Sequence, residues 1–435
     1  MTDLATFIRT SKLVDTHEHL PREIYYTEWR PDVLADLFGS YTNNDLIAAG
    51  ATAVAAQRVA DRNDPDVQSR FAGIKDAWSQ CRHTGYGQAT RLTARLAYGI
   101  EDITEQSLVD AHERHSARNF RGERLRLLRD VARLDHAQID LFDWETTPDH
   151  IDAGFFFYDL SARTFANGEL QFEDLERELG ASVVDLRGLL LAIEHLFERR
   201  GPMAIAVKTQ HAYDRTLAWS TRTDTEAATA LELIRSGNSS QAARLCIGDW
   251  CLDHVVRIAS IYKLPIKIHT GYLARNSYMQ IHNTRVGLLC PLLARHPEAR
   301  FVLMHIASGH EHELLAIAKH YPNVYVDLCW AWSINPRTTG RFVCDYLHQV
   351  PTNRLFAFGG DTFTPTAAIA YAYQAREGLL RALTSEVKDH TLSESEAISI
   401  AGRFMRENQH EAFDLIGRQR LMAFPSEAQS VKDSV

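Results

Sequence analysis

The stretch Val14-Asp15-Thr16-His17-Glu18-His19 carries an apolar strand directly into a His-x-His pair. Residues i and i+2 of a strand point to the same face, so His17 and His19 can chelate one ion together. The competing reading is a pair of solvent-facing loop histidines. Other apolar runs also close on ligand-type residues: Pro265-Ile266-Lys267-Ile268 on His269, Phe301-Val302-Leu303-Met304 on His305, and Phe356-Ala357-Phe358-Gly359-Gly360 on Asp361. Taken singly, each is more simply a core or capping residue. Together they predict a metal centre with His17, His19, His269 and Asp361 as ligands. The cofactor expected is a divalent ion, zinc, in one copy, with a second ion left open.

A bound ion lowers the pKa of water from 15.7 to about 7. Asp361 is then the expected proton acceptor, and His305 the group that polarises a carbonyl or steadies an oxyanion. Lys208 closes Ala204-Ile205-Ala206-Val207 and alternates with two alanines, which turns it inward at the level of the ligands. It could bridge two ions as a carbamate or hold an anionic substrate as an amine. His211, Tyr213 and Arg275, on loops after the fourth and fifth strands, and Trp330 after the seventh, are the further candidate substrate contacts.

Eight apolar runs must position these groups. They are Lys12–Thr16, Gln138–Phe142, Gly154–Asp159, Met203–Lys208, Leu264–His269, Arg300–His305, Asn323–Leu328 and Leu355–Gly360. Helical patterns follow the later ones, at Cys251–Tyr262, Leu288–His296, His312–His320 and Gly340–Leu347. Strands alternating with helices predict an α/β fold, a (β/α)8 TIM barrel whose active-site face is built from the loops after the strands. The barrel takes residues 1–21 and 135–425. Residues 22–134, rich in Ala, Arg, Glu and Leu, read as a large helical insertion after strand 1 that caps the active-site face, and 426–435 as a flexible tail.

The whole chain has 435 residues, 45% of them hydrophobic, with a net charge of −9. This composition excludes disorder and fibre, and the charge disfavours nucleic acid and anionic membrane surfaces. The partner expected is a small-molecule substrate, with a homo-oligomer left open. Six scattered cysteines without a Cys-x-x-Cys pair, and no recognisable signal peptide or apolar span, predict a cytoplasmic protein. Other chemistries lack their motifs. His310-Glu311-His312-Glu313-Leu314 misses the second histidine of a His-Glu-x-x-His helix, Gly85-Tyr86-Gly87 lacks a third glycine, and there is no nucleophile-elbow serine.

His-x-His after strand 1, Lys208, His269, His305 and Asp361 together resemble the amidohydrolase superfamily, from Val14 to about Leu383. The stretch Phe301–Thr362 is most similar to the branch of decarboxylases and of the fungal domain fused to glutamine synthetase-like proteins. In that fused branch the strand 4 lysine is followed by Ala-Tyr-Arg. Here Lys208 is followed by Ala212 and Tyr213, with Asp214 in place of the Arg. Ile268-His269-Thr270-Gly271 with Arg275-Asn276 resembles uronate isomerases, from which His305 is a departure. The resemblance implies a single ion and an unmodified Lys208. It implies a metal-dependent hydrolase of an amide, ester or lactone in a small polar, carboxylated molecule. The alternatives are nonoxidative decarboxylation, aldose–ketose isomerisation and a non-catalytic binding barrel.

Overall fold

The computed structural model describes residues 2–148, 154–274 and 276–423. Eight parallel strands run in sequence order, β1 (Leu13–Glu18), β2 (Leu134–Ile139), β3 (Phe156–Ser161), β4 (Ala204–Thr209), β5 (Ile266–Ile268), β6 (Phe301–Leu303), β7 (Val324–Asp327) and β8 (Leu355–Phe356). The fold is the expected (β/α)8 barrel. β1, β3 and β4 are buried along their whole length, as parallel strands covered on both faces must be. Helices Gln241–Ile261, Cys290–Arg295, Glu311–His320 and Pro336–Gln349 overlap the stretches their patterns predict, the first starting ten residues earlier than expected and the last four.

β2 begins four residues before its apolar run suggests. Asp135 and His136 are strand residues because they find polar partners at the barrel floor, which local sequence does not display.

Backbone bonds beyond the short β8 close the barrel onto β1. Thr16 N donates to Phe358 O at 3.1 Å, Asp361 N to His17 O at 2.8 Å, and His19 N to Thr362 O at 2.9 Å. This approach requires Gly359 and Gly360. A Cβ on Gly359 would stand 2.7 Å from Thr16 Oγ1, and one on Gly360 would overlap the Glu18 carboxylate.

The barrel interior is layered. At the floor Phe157, Ile205, Val302 and Phe356 pack with Phe413, which arrives from the C-terminal helices. Above them Lys267 Nζ donates to both oxygens of Asp159 at 2.9 Å and to Thr16 O at 2.7 Å, all fully buried. The histidines and Asp361 form the next layer, at the mouth.

Between β1 and β2 the chain is helical from Glu23 to Val131 and builds its own small core of Leu34, Phe38, Phe71, Trp78 and Leu108. A buried Asp32–Arg70 pair braces it, with both carboxylate oxygens engaged at 2.7 and 3.0 Å. Thr366 Oγ1 donates to Asp36 at 2.9 Å, joining these helices to the long Pro365–Lys388 helix. The six cysteines are free. Among the described residues no helix is long and apolar enough to cross a membrane. The tail 426–435 lies outside the described residues.

Candidate metal centre

The strand ends bring three of the four mouth histidines around the Asp361 carboxylate. Asp361 Oδ1 lies 3.2 Å from His19 Nε2 and 3.5 Å from His17 Nε2, and its Oδ2 lies 3.8 Å from His305 Nε2. Ligand atoms on a zinc tetrahedron with 2.0–2.1 Å bonds are separated by about 3.3 Å, so these spacings suit a shared ion. His269 joins through His305, its Nδ1 being 2.9 Å from His305 Nε2.

Backbone carbonyls fix the imidazole tautomers. A carbonyl only accepts, so each ring nitrogen beside one must carry the proton. His19 Nδ1 donates to Asp140 O at 2.7 Å, His269 Nε2 to Tyr272 O at 2.8 Å, and His305 Nδ1 to Cys329 O at 3.0 Å. The opposite nitrogens therefore present lone pairs at the mouth, the arrangement that outer hydrogen bonds impose on metal-binding histidines. The lone pairs of His305 and His269 face each other, an opposition that a cation or a shared proton must relieve. His17 Nδ1 is buried without a hydrogen-bond partner. The donor set fits a divalent ion of the zinc class.

Electrostatics favour the ligand forms of His17, His269 and His305, whereas at His19 the hydrogen bond and charge of Asp361 outweigh burial and raise the imidazole, so an ion at its Nε2 would displace a proton. Burial, with the Lys208 charge behind it, holds His17 well below the ordinary imidazole range, and burial does the same to His269. Burial lowers His305 to about 4 against the pull of Asp361. Burial alone would raise Asp361, yet the hydrogen bond and charge of His19 outweigh it and keep the carboxylate ionised. Beneath the centre, burial raises Asp15 and Asp327 to about 7. These two act on the backbone: Asp15 Oδ1 accepts from His17 N and Gly360 N at 3.2 and 3.1 Å, and Asp327 Oδ1 from Cys329 N at 2.9 Å.

The loops at the mouth are strained. His305, Trp330 and Asp361 have φ of 65, 63 and 56°, and Ile306 and Ala307 continue the left-handed run. Non-glycine residues hold such conformations at a cost of order 1–3 kcal/mol each, and they concentrate where a side chain must be aimed.

A cavity of about 310 Å³ opens beside the centre, bordered by His19, Lys208, Gln210, Tyr213, His269 and Asp361. Lys208 is buried, and no described residue forms an ion pair or hydrogen bond with its side chain. Tyr213 sits edge-on to His269 at 4.8 Å. His211 takes no part in the wall: it is buried with Nδ1 3.0 Å from Thr209 Oγ1. Trp330 stands behind the wall, 5.3 Å from the His305 ring and 4.5 Å from Tyr41. Arg275 lies outside the described residues.

Sequence reasoning missed several members of the site. Asp140 offers a ligand atom within 4.8 Å of His17 and His19. It closes β2, but with that strand placed four residues late it reads as mid-strand. Cys329 similarly neighbours His305 and Asp361, though burial pushes its thiol well up and keeps it neutral. Arg163 also borders the cavity, gripped by Asp214 through Nε at 2.9 Å and Nη2 at 2.7 Å. Asp214, standing where the resembling branch has Arg, thus anchors a guanidinium supplied from the loop after β3. Tyr41, Phe142 and Phe363 complete an aromatic rim, with Phe142 stacked on His19 at 4.4 Å.

Fold and site together make a (β/α)8 barrel with a candidate metal centre at its mouth. Residues 205–399 match the amidohydrolase family model. Over 191 residues the chain is 25% identical to the fluG protein of Emericella nidulans, a match covering 42% of this chain and 22% of that protein. The chain therefore spans only about a fifth of that relative's length. A uronate isomerase from Thermotoga maritima superposes with a TM-score of 0.80 at 14% identity, over 94% of this chain and 96% of that one. A structure from Lactobacillus casei described as a metal-dependent hydrolase superposes with a TM-score of 0.63 at 15% identity, over 96% and 99%. At these identities the likeness is one of fold.

Proposed function

We propose that this chain is a metal-dependent hydrolase acting on an amide, ester or lactone of a small carboxylated molecule. One observation carries the reading: three imidazoles, each held at one nitrogen by a backbone carbonyl, turn the opposite nitrogen to the mouth around an ionised Asp361, next to a Lys208 that no described residue pairs.

His17, His19, Asp361 and, through Nδ1, His269 would hold one divalent ion, zinc by the character of the donors. Such an ion supplies Lewis acidity, which activates water and polarises a carbonyl. Asp361 accepts the proton of the attacking water, since it stays ionised despite burial. His305 stands 3.8 Å from Asp361 Oδ2 and orients the carbonyl that is attacked. Lys208 and Arg163 hold the substrate carboxylate, Lys208 as an unmodified amine. Tyr41, Phe142 and Phe363 give the cavity an apolar edge against which the carbon skeleton of the substrate would pack.

Nonoxidative decarboxylation is the second reading, favoured by the aromatic rim, which suits a planar acid. Aldose–ketose isomerisation rests on fold likeness to uronate isomerases. The partner in every case is a small molecule, and the free cysteines fit a reducing cytoplasmic compartment. The deciding experiment presents zinc-loaded protein with a panel of carboxylated lactones, amides and aromatic acids, scoring hydrolysis by acid release and decarboxylation by carbon dioxide. Hydrolysis that vanishes on chelation and returns with zinc is expected. Carbon dioxide release without hydrolysis would replace the first reading by the second.

A further inference from the structure

A second convergence of ligand-type side chains lies at the opposite end of the barrel, far from the mouth along β2. Asp135 Oδ2 is shared by two imidazoles, His410 Nε2 at 2.8 Å and His136 Nδ1 at 3.1 Å. Arg406 Nε donates to the other oxygen, Oδ1, at 2.9 Å. Asp135 and His136 begin β2, whereas His410 comes from the Asn408–Ala412 helix, just before the Phe413 that plugs the floor.

We propose that Asp135, His136 and His410 form a structural divalent-metal site of the zinc class, which clips the C-terminal helices onto the barrel floor. The donors are two imidazoles and one carboxylate oxygen, a combination that suits zinc, with a fourth position left to water. The carboxylate is already divided as a one-oxygen ligand needs, because Arg406 occupies Oδ1 and leaves Oδ2 to the imidazoles. Arg406 is half-exposed, so solvent screens its charge from an ion on the far oxygen.

A second observation concerns Gln138. It is fully buried, its Nε2 lies 3.2 Å from His136 Nε2, and its Oε1 has no partner. Turning the amide over puts that oxygen on His136 Nε2 as an acceptor, which moves the ring proton to Nε2 and frees the Nδ1 lone pair for an ion. The outer-shell group that a metal-bound His136 requires is therefore in place. His410 retains about a fifth of its side-chain exposure, giving an ion a route from solvent.

The proposal is tested on full-length protein stripped with chelator, dialysed against zinc and measured by elemental analysis. His410→Gln keeps a hydrogen-bond donor for Asp135 but removes the imidazole, and Asp361→Asn disables the mouth. His410→Gln is expected to hold one equivalent of zinc per chain fewer than wild type at unchanged turnover. Asp361→Asn is expected to keep the His410-dependent equivalent. If His410→Gln does not fold, wild-type crystals grown with zinc decide, with an anomalous peak expected among Asp135, His136 and His410. Equal zinc in wild type and His410→Gln overturns the proposal, as does an anomalous map with no peak at the floor. Loss of the mouth ion alone leaves these readouts unchanged, so this site and the proposed function can fail separately.

Discussion

His305 Nε2 lies 2.9 Å from His269 Nδ1, and each ring has already given its other N–H to a backbone carbonyl. Two lone pairs are thus held face to face in a buried contact at the barrel mouth. Burial disfavours a proton on either ring, so the positive charge that would relieve the contact is an ion's.

Metal loading should expel the proton that Asp361 holds on His19, whose imidazole is raised by that hydrogen bond and charge. Calorimetric titration of stripped protein with zinc, repeated in buffers of different ionisation enthalpy, is expected to show up to one proton released per ion near neutral pH. Asp361→Asn, which removes the charge that holds this proton, should reduce the release. An enthalpy independent of buffer would show that His19 is already neutral.

Asp361→Asn should lower turnover by roughly 10²- to 10⁴-fold, the usual contribution of a positioned proton acceptor. The far-ultraviolet circular dichroism should stay unchanged, because the residue sits above the barrel core. Metal content measured alongside separates a lost ligand from a lost base.

For Lys208→Met, a buried lysine that no described residue pairs and that meets a substrate carboxylate is worth about 1.5–3 kcal/mol. A loss of about 10- to 100-fold in kcat/KM is expected on acids. Uncharged analogues should be affected far less, and equal losses on both would remove Lys208 from substrate binding.

The Lys267–Asp159 pair should behave as a buried pair does. Either single change, Lys267→Met or Asp159→Leu, strands a charge and should cost about 3–5 kcal/mol in urea unfolding. The double change should recover most of that loss. Additive losses would show that each residue acts through other contacts.

Acid should weaken the fold partly through His211. Burial, then the Arg215 charge, lowers this imidazole to about 3. The unfolded chain takes up a proton near pH 6.5 that the folded residue refuses. Stability is therefore unaffected above about pH 6.5 and falls as pH drops from there toward about 3, by at most about 1.4 kcal/mol per unit. His211→Gln should flatten this slope by about one proton in stripped protein, and an unaltered slope would show that His211 titrates normally.

Local sequence carries the barrel and the mouth ends of β1, β4, β5, β6 and β8, where the candidate ligands stand. Apolar runs buried on both faces leave a local signal, and His17, His19, His269, His305 and Asp361 each close such a run. Tertiary structure decided what local order does not contain. β2 starts at Leu134 because Asp135 and His136 find Arg406 and His410, residues some 270 positions away, and this shift is what brings Asp140 to the mouth. Arg163 becomes a cavity residue only because Asp214, 51 positions on, grips it. Lys267 reads as one more polar residue in β5 until Asp159 is seen opposite. Periodicity records which face a residue takes, whereas the partner that makes a buried charge tolerable is chosen by chain closure, which no local pattern encodes.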